Sequence, residues 1–221
     1  MAHNQFELLK QRRFLPFFLT QSLGAFNDNV FRNAMLALMV YQMGLSTEQS
    51  TLYANLAPAL FILPYFLFSA TAGQIAEKYE KARLIRVTTA MEIAIMSLAS
   101  FGFIYGIPWL LLFCLFLTGV QSTLFGPVKY AILPQVLAPE ELTGGNGLVE
   151  MGTSISILIG MIAGMSLLMI PEYGPQAAAA AMIALAITGH LVSRAIPMAP
   201  AIEPDLKINP NIMAESLHVL R

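Results

Sequence analysis

The feature that most restricts this chain is a sixfold recurrence of apolar runs close to twenty residues long, each closed by a short polar stretch. A helix needs about twenty apolar residues to cross a bilayer, whereas a core strand needs about five or six, so this period selects membrane-spanning helices. The runs predict spans over residues 14–41, 51–76, 84–105, 108–125, 147–170 and 176–193. At about 1.5 Å of rise per residue they extend roughly 27 to 40 Å, enough for about 30 Å of hydrocarbon with tilt in the longer ones. The expected fold class is all-α, a polytopic bundle of six transmembrane helices with both termini on one side.

Composition fits lipid as the solvent. Apolar residues make up 57% and charged residues 11%, against about 25% charged in a soluble domain. A net charge of -1 offers no basic surface to a polyanion, so nucleic acid is not an expected partner. The single cysteine, Cys114, excludes an internal disulfide and lies in an apolar run beside Phe113 and Phe116, as a packing or lipid-facing residue. No cleavable signal peptide is expected, because the first apolar run is too long for one and ends without a small-x-small site.

Orientation follows from Lys and Arg alone. Of the 12 basic residues, all but Arg32 fall before the first span, between the second and third or, for Arg86, in the first turn of the third, between the fourth and fifth, or after the sixth. The loops near Thr47, Gly106 and Glu172 hold none, so both termini are expected in the cytoplasm. Residues 1–195 should form the bundle. From Ile196 onward Pro197, Pro200, Pro204 and Pro210 interrupt a polar stretch that reads as a cytoplasmic linker, and a weakly helical pattern restarts over residues 215–221.

Charge appears where it is costly. The first span carries Asn27, Asp28, Asn29 and Arg32 near its middle, although one charge at the bilayer centre costs roughly 2.5 to 3.5 kcal/mol. Asp28 and Arg32 are four apart and able to pair, with Gln21 on the same stripe. Either they form an intrahelical pair that locks packing, or the stripe lines a substrate or ion site; the neighbouring Asn27 and Asn29 favour the site. In the third span Glu92 has no basic residue within a turn, so its partner comes from another helix or a substrate, unless protonation neutralises it.

The fourth span aligns Thr118, Gln121, Ser122, Phe125 and Lys129, and Gly126-Pro127 is expected to break the helix before Lys129. That lysine either meets an anion or reaches for lipid phosphates. The fifth span opens with Gly144, Gly145 and Gly147, carries Asn146 and Glu150, and continues as a ladder of small residues, Gly152, Ser156, Gly160 and Gly164, suited to close helix packing. Glu150 is expected near that helix's amino terminus, where the dipole favours a carboxylate, and His190 at an interface. No HExxH, GxSxG, Walker, GxGxxG or metal-spaced Cys/His pattern occurs. An enzyme, a cofactor and a metal are therefore not expected.

Two stretches carry a family likeness. Gly73-Gln74-Ile75-Ala76-Glu77-Lys78, with Lys81 and Arg83, is expected in the loop after the second span and resembles the loop signature of the major facilitator superfamily. Glu80 and Ala82 depart from that signature, standing where it has a glycine and a base. Gly24-Ala25-Phe26-Asn27-Asp28-Asn29-Val30-Phe31-Arg32, the run from Gly126 to Pro134, Glu141-Leu142 and Asn146-Gly147-Leu148-Val149-Glu150 are similar to the bacterial lysophospholipid transporter branch of that superfamily, including forms fused to an acyltransferase and an acyl-ACP synthetase.

The resemblance implies movement of lysophospholipids, such as lysophosphatidylethanolamine, across the inner membrane. It also implies two six-helix halves with the path between them, so this chain reads as the amino-terminal half, completed by a carboxy-terminal bundle or a second copy. On that reading Asp28 attracts the headgroup ammonium or a cation, Lys129 and Arg32 meet the phosphate, and Asn27, Asn29 and Gln121 supply neutral hydrogen bonds. Glu92, Glu150, Asn146, Gly73, Glu77 and Lys78 serve gating or coupling. Two other functions remain open: export of small amphipathic drugs or metabolites, and a noncatalytic membrane anchor for lipid acylation enzymes.

Overall fold

The structure, a computed structural model, describes residues 5–208; the helical pattern expected over residues 215–221 lies outside them. The helices are α1 (Leu15–Ala37), α2 (Thr47–Lys78), α3 (Lys81–Tyr105), α4 (Pro108–Ala131), the single turn α5 (Leu133–Val136), α6 (Leu142–Leu168) and α7 (Gly174–Ser193). No strand occurs among the described residues. Five of the long helices are long and apolar enough to cross a membrane. The sixth, α1, has 23 residues, about 34 Å of helix, and carries the polar stripe.

Local signals explain the ends. Ser46 caps α2 through a reciprocal box with Gln49. Glu80 caps α3 by accepting from the amides of Ala82 and Arg83. At the far end of α3, Gly106 turns the chain with φ of 62°, a conformation few side chains tolerate, and Pro108 starts α4.

Several boundaries differ from expectation. The break at Gly126-Pro127 does not form, since α4 runs on to Ala131, and α2 likewise contains Pro58 and Pro64. A proline removes one bond of the ladder, and apolar surroundings leave the remaining backbone groups no partner but the helix. The resembling stretch from Gly73 to Lys78 is the last two turns of α2 instead of a loop; only Tyr79 and Glu80 separate α2 from α3. The first span ends as a helix at Ala37 and closes with a π-helical turn, Leu38–Gln42.

α1 packs on α6 and α7, α2 on α4, and α3 on both α4 and α7. The small-residue ladder sets the α1–α6 contact. A Cβ added at Gly160 would stand 2.6 Å from the Phe26 carbonyl oxygen, and one at Gly164 2.5 Å from that of Val30. Two apolar clusters result. One gathers Phe31, Met35, Met96, Phe103, Leu111, Cys114 and Met182; the other, at the end rich in Lys and Arg, gathers Phe14, Phe17, Ile85, Ile132, Val149, Ile196 and Ala199. Along α1 the polar positions 20–28 fall between them. Outward faces of α2 and α6 expose large apolar side chains such as Phe66, Leu158 and Ile162, as lipid contact requires.

The described part of the expected linker is packed instead of free. The Ala199 amide donates to Glu80 at 2.9 Å, Lys81 donates from its amide to Ala199 and from Nζ to Pro200, and the amides of Ile202 and Glu203 donate to the Glu77 carbonyl. Ala199 and Lys81 are fully buried there.

Candidate functional site

A cavity of about 250 Å³ lies between α1, α2, α3, α4 and α6. Its α1 wall is Thr20, Gln21, Gly24, Ala25 and Asp28, spaced three and four apart so that one helical face points inward. Asp28 is 13 residues into α1, roughly 20 Å along its axis. Opposite it α4 presents Gln121, Ser122, Phe125, Gly126, Lys129 and Tyr130 at the same spacing.

Of the two readings of the α1 stripe, the intrahelical pair of Asp28 with Arg32 is not formed. Asp28 instead accepts from Ser122 Oγ at 3.1 Å. The Arg32 guanidinium lies over the Phe61 ring of α2, 4.0 Å from its centroid, a favourable place for a planar cation. Its Nε is buried without a hydrogen-bond partner. One turn along a helix brings side chains near each other, but here each finds its partner on a neighbouring helix.

Glu92 does find its partner on another helix: Asn27 Nδ2 donates to Glu92 Oε1 at 2.7 Å and to the Met182 carbonyl at 3.2 Å. Asn27 is fully enclosed, with Oδ1 unpartnered. Glu92 lines the cavity, so this amide ties α1, α3 and α7 together behind it. Asn29 points elsewhere, donating to the Ala25 carbonyl and packing against Gly160 of α6. Of the six residues expected at a substrate, Asp28, Gln121 and Lys129 line the cavity, while Asn27, Asn29 and Arg32 do not.

Lys129 Nζ donates to Glu150 Oε1 at 3.0 Å and Thr153 Oγ1 at 3.1 Å, and Tyr130 donates to the same Glu150 oxygen at 2.8 Å. The Thr153 hydroxyl in turn has two acceptors within reach, Gln21 Oε1 at 2.9 Å and the Val149 carbonyl at 2.8 Å. A polar chain thus crosses from α4 through α6 to α1 at one end of the cavity. Because α6 starts at Leu142, Glu150 sits two turns inside it, beyond reach of the terminal dipole that was expected to hold it. Asn146 bonds back to the Leu142 carbonyl and does not join this chain.

Gly73, expected to allow a close helix approach, has nothing within 4 Å of an added Cβ. Glu77 is exposed, and Lys78 Nζ lies 5.9 Å from the Tyr79 ring centroid. His190, expected at an interface, joins α7 to α3 through Thr89 Oγ1, 3.0 Å from Nδ1. Tyr65, Thr89 and Thr153 line the cavity although no sequence signal singled them out; Tyr65 sits within a run that otherwise reads as lipid-facing. No cluster of metal-binding side chains occurs among the described residues.

Long apolar helices closed around a charged cavity define a polytopic α-helical membrane protein. The Major Facilitator Superfamily pattern matches residues 17–211, and the chain belongs to that family. It is 29% identical over 208 residues to the lysophospholipid transporter LplT of Serratia proteamaculans (strain 568), covering 94% of this chain and 49% of that protein. Over 156 residues it is 31% identical to LplT of Cronobacter sakazakii (strain ATCC BAA-894), covering 71% and 36%. Over 150 residues it is 31% identical to LplT of Salmonella typhimurium (strain LT2), covering 68% and 35%. The chain spans about half the length, or less, of the curated relatives it matches.

Proposed function

We propose that the chain is the amino-terminal half of a carrier that moves lysophospholipids, such as lysophosphatidylethanolamine, across a bacterial inner membrane by alternating access. The observation that carries this reading is that a carboxylate, Asp28 at mid-helix depth on α1, and an ammonium, Lys129 in the last turn of α4, line one cavity together with the neutral groups of Gln121, Ser122 and Tyr65. A zwitterionic headgroup offers the complementary ammonium and phosphate, and such groups inside a membrane otherwise carry a heavy desolvation cost. The relatives are named as lysophospholipid transporters, which supports the same class of substrate.

In this reading Asp28 takes the ammonium, Lys129 the phosphate, and Gln121 the neutral hydrogen bonds, while the acyl chain stays in lipid. Asn27 and Asn29 hold α1 in place, Arg32 adds positive potential, and Glu92, Glu150, Asn146, Gly73, Glu77 and Lys78 act in gating. Residues 1–195 form the bundle and 196–221 lead toward the second half, with both termini cytoplasmic. The second wall of the path comes from a further bundle or a second copy, and an acyltransferase with an acyl-ACP synthetase, fused or associated, consumes the lipid delivered. Catalysis has no place in this reading.

Asp28→Asn in the complete carrier should abolish uptake of labelled lysophosphatidylethanolamine by membrane vesicles at unchanged protein level. Undiminished uptake removes Asp28 from the mechanism. Competition by a drug panel, with no competition by lysolipid, would transfer the reading to export of amphipathic molecules.

A further inference from the structure

Lys129 and its ion-pair partner are buried to very different degrees. The Lys129 side chain is 13% exposed and lines the cavity, whereas Glu150 is 54% exposed and is not part of the lining. An ammonium in such a place cannot be left without an anion, because burial of an unpaired charge is heavily penalised. Glu150 supplies that anion through one oxygen, shared between Lys129 Nζ and the Tyr130 hydroxyl. Nothing in the α6 backbone fixes the carboxylate, and ion pairs with an exposed member are weakly held. Glu150 can leave without becoming a buried charge, whereas Lys129 cannot.

We propose that Glu150 is an internal stand-in for the substrate's phosphate: it occupies Lys129 while the cavity is empty and swings out when a headgroup phosphate takes its place. The inference rests on the reading of Lys129 as the phosphate group's partner and names what that partner does before substrate arrives. Lys129 has three donors and spends two of them, on Glu150 and Thr153. A phosphate, carrying more charge and more acceptor oxygens than a carboxylate, is suited to displace Glu150. Displacement also removes the two bonds from Glu150 of α6 to Lys129 and Tyr130 of α4, while the Lys129–Thr153 bond between these helices stays. A lipid without an anionic headgroup leaves the bridge closed, so Glu150 sets the demand for an anion.

The test is binding of glycerophosphoethanolamine, the soluble headgroup, to the full chain in lipid nanodiscs by calorimetry. A stand-in lowers the affinity by the fraction of time it holds the site, so Glu150→Gln should tighten binding about three- to tenfold. Glu150→Asp keeps the charge but shortens the reach, and should tighten binding as well; a purely long-range charge effect would leave it unchanged. Lys129→Gln should remove binding. Unchanged or weaker binding in either Glu150 variant, or binding that survives Lys129→Gln, overturns the proposal. If binding tightens as stated while the complete carrier moves no labelled lysophosphatidylethanolamine, the lysolipid reading fails and the stand-in role stands for another phosphate-bearing headgroup.

Discussion

Asn27 of α1 donates to the Glu92 carboxyl of α3 at 2.7 Å, in a place where Asn27 itself is fully enclosed. That contact fixes a buried acid at the back of the cavity and holds α1 against two other helices. Asn27→Ala removes the donor and leaves Glu92 and the Met182 carbonyl short of a partner. A buried group so orphaned costs about 1–3 kcal/mol. Thermal unfolding of the detergent-solubilised chain should fall by several degrees; an unchanged midpoint would mean that the contact contributes nothing.

The α1–α6 seam should tolerate no added volume. At Gly160 a methyl would stand 2.6 Å from the Phe26 carbonyl oxygen, which belongs to backbone and cannot move aside alone. Gly160→Ala should destabilise by about 1–3 kcal/mol, and Gly160→Leu should abolish the folded protein. Gly73, open within 4 Å, should accept alanine with no loss of melting temperature.

The segment after α7 depends on Glu80. This one carboxylate caps α3, pairs with Arg86 and accepts the Ala199 amide. Glu80→Ala loses the cap, worth about 0.5–2 kcal/mol, and releases the chain beyond Ala195. Limited proteolysis should cut between residues 196 and 206 several-fold faster than in the parent protein. Equal cleavage rates would show that the segment is held without Glu80, by the side chains of Lys81 and Gln135, which both donate to the Pro200 carbonyl.

Water should reach the cavity but not the helix seams. Cys114 is the sole cysteine and fully buried, so new cysteines can be placed without removing it. Cysteines replacing Asp28 or Gln121 should react with a charged maleimide in membranes, and cysteines replacing Phe31 or Met96, both fully buried, should not. Equal protection of all four positions would be incompatible with an aqueous route along α1 and α4.

Much of this molecule is written into local sequence. Six runs of apolar residues, with Ser46, Glu80 and Gly106 at their ends, suffice for the helices, because lipid leaves a backbone no alternative to bonding within its own segment. The same property let α4 continue through Pro127 where a break was expected. That Gln21 and Asp28 share one face of α1, and Gln121, Ser122, Phe125 and Lys129 one face of α4, was legible too, since residues three and four apart share a face whatever surrounds them.

Partnerships were not legible. Sequence spacing made Asp28 and Arg32 mutual neighbours, yet Ser122 and Phe61, each on a different helix, are what they meet. Tyr65 entered the cavity from a run indistinguishable from lipid-facing helix. Periodicity determines which face of a helix is polar, but the rotation and neighbours of that helix depend on glycine-sized contacts such as Gly160 on Phe26. Those contacts are made between segments far apart in the chain, so only the tertiary structure decided which charge stands beside which.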